Sequence, residues 1–290
     1  MVDTIAVISG KGGTGKSSLT RAFFELEKNA YAADCDVDGA NLFVSLDHDI
    51  VESEDFIAGF DYEIDAEKCV HCSKCEKLCR FGAIKDFKID SFLCEGCNVC
   101  YYVCGSEAVR KSPKNCGMIH RAKSNAGFFV YGRLIAGEEN SGKMVSRVRE
   151  IAKKHAEEIE SSMLIIDGPP GVGCPVIASV TATTGVVIVT EPTLSGLSDL
   201  KRAAGLVTGM NIPVTIVINR ADINIEICEQ IEKFAADNDL SFAGRINYST
   251  IFNESQRDRR SVVSYEGSSA ADEVKKVWEK IRKDLLKQES

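Results

Sequence analysis

Residues Gly10-Lys11-Gly12-Gly13-Thr14-Gly15-Lys16-Ser17 constrain the fold of this chain more than any other stretch. They satisfy the pattern GxxxxGK[ST], which carries its chemistry only when a strand delivers the loop and a helix leaves it. The apolar run IAVIS, ending at Ser9, has the length of a buried parallel strand, and Leu19, Ala22, Phe23 and Leu26 follow at helical spacing. In that setting the glycines let consecutive backbone N–H groups turn inward on phosphate, and the helix N-terminus adds its dipole. Lys16 would reach the β- and γ-phosphates and the Ser17 hydroxyl would bind Mg²⁺. A glycine turn without function would need all these matches to be accidental.

Short apolar runs recur at Ala30–Ala33, Met163–Ile166, Val186–Val189 and Val214–Ile218, separated by helix-like stretches such as Val145–Ile159 and Ile223–Ala236. Strands alternating with helices predict an α/β fold, a doubly wound and mostly parallel sheet with ligands at the carboxyl ends of its strands. Residues 61–110 break that rhythm. The expectation is one nucleotide-binding domain made of residues 1–60 and 111–290, interrupted by a small α+β module at 61–110.

The module has an internal repeat. Cys69-x2-Cys72-x2-Cys75-x3-Cys79 returns as Cys94-x2-Cys97-x2-Cys100-x3-Cys104, and Asp65, Ala83 and Ile84 return as Asp90, Ala108 and Val109 at the same offset. This is the spacing of bacterial two-cluster ferredoxins, in which the fourth cysteine of each run ligates the other cluster. Cys69, Cys72, Cys75 and Cys104 are therefore assigned to one [4Fe–4S] cluster, and Cys79, Cys94, Cys97 and Cys100 to a second. The proline usual after the fourth cysteine is replaced by Arg80 and Gly105. Paired zinc sites are the competing reading of C-x2-C pairs, but four thiolates at 2,2,3 spacing twice over favour iron–sulfur. His71 lies inside the first run and is read as a neighbour that tunes potential through hydrogen bonding, because eight thiolates already fill two cubanes.

Lys11, two residues before Gly13, makes the loop resemble the deviant Walker A group of P-loop ATPases. That group comprises the MinD/ParA positioning ATPases, the Mrp-type iron–sulfur carriers and the nitrogenase iron protein. The resemblance covers nearly the whole chain outside the cysteine-rich module, and it implies that Lys11 acts in trans across a nucleotide-dependent homodimer. It further implies that Asp34-Cys35-Asp36-Val37-Asp38, with Asn41, is a first switch in which Asp36 orients the attacking water and Asp34 supports Mg²⁺. Asp167-Gly168-Pro169-Pro170-Gly171 resembles the Walker B end with its second switch, Asp167 holding Mg²⁺ through water. Asn219-Arg220-Ala221-Asp222 resembles the adenine-side motif, with the Asn219 amide on the base edge. Gly10 to Gly15, Lys16, Ser17, Ser18, Asn219 and Arg220 are then the expected nucleotide contacts, with Lys11, Lys16 and Asp36 catalytic.

Other signals are weaker. Gly137-Glu138-Glu139-Asn140-Ser141-Gly142-Lys143 has the same spacing as a phosphate loop, but Met144 stands where a Mg²⁺-binding hydroxyl belongs. It is read as a helix-initiating loop, resembling a segment of MinD-like ATPases that carry inserted ferredoxins. Cys174 stands seven residues past Asp167, but no second cysteine precedes it to complete a bridging cluster like that of the nitrogenase iron protein, and the C-x-x-C pair of Mrp-type carriers is missing. Cys35, Cys116, Cys174 and Cys228 are each read as small buried hydrophobes. The stretch 272–287 places Val274, Val277, Trp278, Ile281 and Leu285 on one face, which suits packing on a sheet better than a MinD-style membrane-targeting helix.

The net charge of −8 argues against sequence-independent nucleic-acid binding while leaving room for a local basic patch. Twelve cysteines without an export-signal pattern point to metal ligation in a reducing compartment, so a cytoplasmic location is expected. Together these readings predict a Mg²⁺-dependent ATPase with ATP, Mg²⁺ and two [4Fe–4S] clusters as cofactors. It would couple nucleotide-dependent dimer closure to electron transfer with a redox partner protein. A cluster-assembly carrier and a redox-sensing positioning ATPase are the alternatives.

Overall fold

Strands buried on both faces need apolar side chains at consecutive positions, and the runs around Ile5, Ala32, Ile165, Val187 and Ile216 meet that condition. The computed structural model describes residues 2–39, 42–138 and 140–286; Asn41, Glu139 and Lys287, named above, lie outside the described residues. In chain order the elements are β1 (Asp3–Ser9), α1 (Lys16–Leu26), β2 (Ala30–Asp34), α2 (Leu42–Ser45), β3 (His48–Ile64), α3 (Lys74–Leu78), β4 (Ile84–Lys85), β5 (Lys88–Ile89) and α4 (Val99–Val103). They continue as β6 (Val109–Ser124), β7 (Gly127–Leu134), α5 (Ser141–Glu158), β8 (Met163–Pro170), α6 (Cys174–Val180), β9 (Gly185–Thr190) and α7 (Leu194–Thr208). The last are β10 (Val214–Asn219), α8 (Ile225–Asp237), β11 (Ser241–Ile246), α9 (Ile251–Arg257) and α10 (Ser269–Leu285).

Nine strands form one sheet in the order β11-β10-β9-β1-β8-β2-β7-β6-β3. β1 pairs in parallel with β8 and β9, β10 with β9 and β11, and β2 with β8 and β7. The strand that delivers the phosphate loop is therefore central. Its odd-numbered residues Ile5 and Val7 share a core with Phe23 and Phe24 of α1 and with Val274 and Trp278 of α10. On the opposite face, a side chain on Gly132 would lie 2.7 Å from Met144 Sδ of α5, and one on Gly168 would lie 3.0 Å from Ser179 Oγ of α6. Helices thus cover both faces, as the alternation of runs predicts.

The chain divides into two compact units, residues 1–54, 119–133 and 141–290 in one, residues 55–118 and 134–140 in the other. The divisions fall within β3 and β6, at the last residue of β7 and just before α5; β3 and β6 run to 17 and 16 residues, roughly three times the usual strand length. Neither strand was anticipated, nor was β7. Most of β3 is exposed and six of its 17 residues are acidic; its one strand signal is the alternation of Phe56, Ala58, Phe60, Tyr62 and Ile64. β6 reaches β7 through a two-residue connection, which makes that pair antiparallel.

Two expectations about isolated residues have different outcomes. Cys35, Cys116 and Cys228 are fully buried, whereas Cys174 is exposed at the first turn of α6 and is not the buried hydrophobe anticipated. The helix start puts its side chain beyond the sheet, beside Gly142. The apolar face of α10 is buried as expected, with Trp278 stacked on Phe23 at 4.8 Å, and no helix among the described residues is long and apolar enough to cross a membrane. Replacing Trp278 with Ala should lower stability by about 3–5 kcal/mol, read as a large fall in thermal midpoint. A membrane-binding role for this face would instead leave the midpoint unchanged. In the native protein iodoacetamide should label Cys174, while Cys35, Cys116 and Cys228 react only after denaturation, as peptide mass spectrometry would show.

Candidate functional site: a phosphate-loop cleft and two cysteine-lined cavities

The phosphate loop leaves β1 at Ser9 and enters α1 at Lys16. Gly13 and Gly15 adopt left-handed backbone conformations, with φ of 82° and 85°. Gly15 is needed for a second reason, since a side chain there would lie 2.3 Å from the Asn219 amide nitrogen. That amide donates to Thr14 O at 2.8 Å, while Asn219 Oδ1 accepts from Arg220 N. Asn219 therefore braces the loop from the end of β10, using one hydrogen and one lone pair and keeping one of each.

Lys16 is 6% exposed, and its ammonium lies 2.8 Å from Asp167 Oδ1, 3.2 Å from Ser17 Oγ and 3.7 Å from Asp36 Oδ2. Burial works against its charge, but the charge and hydrogen bond of Asp167, helped by Asp36 and Asp34, outweigh it and raise its pKa. Thr20, one turn along α1, donates a second hydrogen bond to Asp167 Oδ1 at 3.0 Å. Asp34 and Asp167 face each other in register on β2 and β8. Burial, compounded by the Asp167 charge, pushes the Asp34 carboxyl up to about 8. Both Asp34 oxygens accept backbone N–H groups, from Asp36, Leu42 and Phe43, and so shape the segment after β2. Asp36 is also raised, by burial first and by Asp167 and Asp38, with Lys16 opposing.

Gly12 to Ser18, Asp36, Asn219 and Arg220 line a cleft of ≈ 490 Å³, closed on another side by Asn247, Tyr248, Phe252 and Gln256. Gly10, Lys11, Asp34 and Asp167 do not line it. Gly10 packs against Asp199 of α7. Lys11 is turned onto Glu191, Thr193 and Ser195, at 3.4, 3.5 and 3.4 Å. Asp34 and Asp167 lie fully buried behind Lys16. Two polar atoms here are buried without a partner, Thr14 Oγ1 and Asp167 Oδ2. Such orphans are rare, and a hydrated divalent cation with its nucleotide phosphates would satisfy both. The residues present fit Mg²⁺ and a nucleoside polyphosphate.

Sequence reasoning missed Glu191, which pairs with both Lys11 and Arg220. It also missed Thr20, and Gln256, whose amide donates to Ser18 Oγ at 2.8 Å. A carboxylate at the end of strand β9 was the available signal for Glu191. Gln256 comes from a helix remote in sequence and carries no motif.

In the cysteine-rich unit the 25-residue repeat extends to the backbone. Ser73 and Asn98 take left-handed conformations just before α3 and α4, as do His71 and Gly96, and Gly82 and Glu107. Asp65 N donates to Ala108 O and Asp90 N to Ala83 O, so each half closes on the other through equivalent bonds of 2.8 and 2.7 Å. The thiols divide accordingly: Cys69, Cys72, Cys75 and Cys104 line one small cavity, and Cys79, Cys94, Cys97 and Cys100 line another.

The repeat also places Phe87 at the first cavity and Tyr62 at the second. Phe87 accepts a left-handed conformation, φ 57°, in the two-residue turn between β4 and β5, and its ring meets His71 edge-on at 4.5 Å. His71 is therefore held by an aromatic edge next to the cysteine run. Among the described residues no group of three or more His, Cys, Asp or Glu is close enough to hold a single metal ion. Four thiols spread around a cavity suit a cubane better than one tetrahedral zinc. Cys104 Sγ accepts from Ala108 N at 3.2 Å; burial opposes its thiolate, but Ser106 and backbone N–H groups hold its pKa below the ordinary thiol value.

Comparison with known proteins bears on both sites. Residues 141–282 match the model of the ParA family, described as NUBPL iron-transfer P-loop NTPase, and residues 62–85 match that of a 4Fe-4S binding domain. Uncharacterized protein MJ0578 of Methanocaldococcus jannaschii is 38% identical over 224 residues, 76% of this chain and 79% of that one. Uncharacterized protein MJ0579 of the same organism is 32% identical over 225 residues, 76% of this chain and 81% of the relative. Among solved structures, the septum site-determining protein MinD of Pyrococcus horikoshii, complexed with Mg-ADP, superimposes with a TM-score of 0.57 at 17% identity, over 98% of this chain and 97% of that one. That likeness establishes the MinD/ParA fold.

Replacing Gly15 with Ala tests the cleft. The added carbon forces Asn219 off the loop and demands a strained φ, so affinity for a fluorescent ATP analogue should fall at least tenfold, about 1.4 kcal/mol, with the circular dichroism spectrum kept. Unchanged affinity would mean that the brace does not shape the site.

Proposed function

We propose, for a chain that belongs to the ParA/MinD-type P-loop NTPases and shares a family with MJ0578, that it binds and hydrolyses MgATP and couples nucleotide state to electron transfer through two [4Fe–4S] clusters. The carrying observation is the division of eight thiols into two four-sided cavities, crossed between the repeats, in a chain that also holds a phosphate-loop cleft. The coarser statement, an iron–sulfur P-loop NTPase, already follows from the two family matches. In the proposal residues 61–110 form the cluster module and residues 1–60 with 111–290 the ATPase. The module lies inside the compact unit of residues 55–118 and 134–140, which takes in the adjoining lengths of β3 and β6 as well.

In this reading Lys16 binds the β- and γ-phosphates. Ser17 and Asp167 hold Mg²⁺, the latter through its partnerless Oδ2. Asp34 supports the ion and fixes the segment after β2, while Asp36, lining the cleft beside Lys16, positions the attacking water. Asn219 and Arg220 face the nucleoside, and Asn219 has one N–H and one lone pair left for the base. Lys11, held by Glu191 in the single chain, leaves it to contact the nucleotide of a second copy in a closed homodimer. The clusters supply one-electron redox chemistry. The four thiols that line each cavity would hold one cluster apiece, and an unidentified protein exchanges the electrons.

An anaerobic redox titration with EPR, comparing ADP with ATP in the Asp36→Asn protein, tests the coupling. One cluster should shift by more than about 59 mV, tenfold in a one-electron equilibrium. Unchanged potentials together with an unchanged rate of electron exchange would overturn the proposal.

A further inference from the structure

The two halves of the repeat share a backbone but differ in charge. Around the first cysteine run stand Lys68, Lys74, Lys77 and Arg80, all exposed, and Lys85 and Lys88 follow on the β4–β5 hairpin. The equivalent stretch of the second run, residues 92–105, carries Glu95 as its one charged residue; both runs expose apolar side chains, Val70 and Leu78 in the first and Phe92, Leu93 and Tyr102 in the second, so the difference between them is charge. Lys74 and Phe87 both line the cavity of Cys69, Cys72, Cys75 and Cys104. Lys77 is one helical turn from Lys74 on α3, and Lys85 and Lys88 flank the turn that holds Phe87. Lys74 and the Phe87 turn thus bring all four ammonium groups to the side of this cavity, although Ile84 and Ile89 of the same hairpin line the other one.

Their arrangement costs stability. Lys85 and Lys88 are directly opposed in the β4–β5 register, and like charges so placed repel across a hairpin. Lys74 and Lys77, at i,i+3, repel along the helix. Acids of the same stretch, Glu67, Glu76, Asp86 and Asp90, do not neutralise them in ion pairs. Among the described residues the ion pairs of this unit are Arg110–Asp65 and Lys114–Glu138, which leave all six basic side chains unpaired. A solubilising surface gains nothing from placing like charges in opposition, and the chain as a whole is acidic, at −8. That net charge repels nucleic acid and anionic membranes at long range, whereas a compact acidic protein face needs only the local field.

We propose that the Lys74, Lys77, Lys85 and Lys88 face is the docking surface for an electron-carrier protein with an acidic face, which meets the chain at the Cys69-side cavity. The apolar surface of Phe92, Leu93 and Tyr102 is not part of it. This rests on the reading of the cavities as cluster sites. The two fail separately: a dithionite-treated holoprotein whose visible absorption does not bleach defeats the cluster reading, while docking is measured on the as-purified chain without any electron transfer.

The probe is a small acidic flavodoxin, with a basic cytochrome c as the opposite-charge control. Flavodoxin affinity should fall at least tenfold between low and high salt, as screening of exposed charges requires. The Lys74→Glu/Lys77→Glu/Lys85→Glu/Lys88→Glu protein should lose at least tenfold at low salt and show a flat salt dependence. The matching Lys→Gln protein, which removes charge without adding repulsion, should fall between. In stopped flow with the dithionite-reduced chain, one electron leaves the chain for each flavin reduced from quinone to semiquinone, and this rate should follow the same order. Salt-independent binding, equal binding by the Glu variant, tighter binding of the cytochrome, or equal capture of the chain by anionic vesicles or duplex DNA would each overturn the proposal.

Discussion

The buried ammonium of Lys16 is the group around which the nucleotide half of the molecule is organised. At 6% exposure it cannot keep its charge without close anions, and it receives Asp167 from the end of β8 and Asp36 from the segment after β2, with Asp34 behind them. Asp34, the last residue of β2, is in register with Asp167 of β8, and β1 pairs beside β8. One cation among three carboxylates leaves the site short of positive charge. Burial, with the Asp167 charge, pushes the Asp34 carboxyl up, which eases part of the shortfall. The rest is an electrostatic demand that a divalent cation fills.

Backbone bonds and the Asp34 carboxylate tie the segments after β1, β2 and β8 to one another. Asp167 O accepts Cys35 N, and Ser9 O, at the mouth of the loop, accepts Gly171 N, both at 2.8 Å. Asp34 accepts Leu42 N and Phe43 N, and the Phe43 ring then stacks on Tyr131 of β7 at 4.5 Å. Any movement of Asp36 or Asp167 would thus act on bonded backbone, and its effect does not depend on loose side chains. In the cysteine-rich unit the organising constraint is the twofold crossing of Asp65 and Asp90 onto the opposite halves. It brings the fourth thiol of each run to the other's cavity, where spacing within one run alone could not take it.

Much of this was legible in the chain. Strands buried on both faces announce themselves as unbroken apolar runs, so β1, β2, β8, β9 and β10 could be placed, and the Gly-rich loop between strand and helix followed from local chemistry. The eight cysteines could be divided between two cavities because the rule depends on spacing and thiol count. The strands β3 and β6 were not legible, because charged, largely exposed side chains fill most of both and the apolar alternation of β3 is confined to its second half. Cys174 misled because composition predicts burial for a free thiol, while its position at a helix start decides exposure.

By itself, then, the sequence determined the Gly-rich loop between strand and helix, the acids that follow its apolar runs and the thiols that divide between two cavities, since each depends on residue type and near spacing. Only the tertiary structure decided that Lys11 rests on Glu191, that Asn219 braces Thr14 and that Lys85 opposes Lys88. These are contacts between elements, fixed by sheet order, hairpin register and helix packing. Electrostatic and steric energies depend on distance in space, and distance along the chain does not report it.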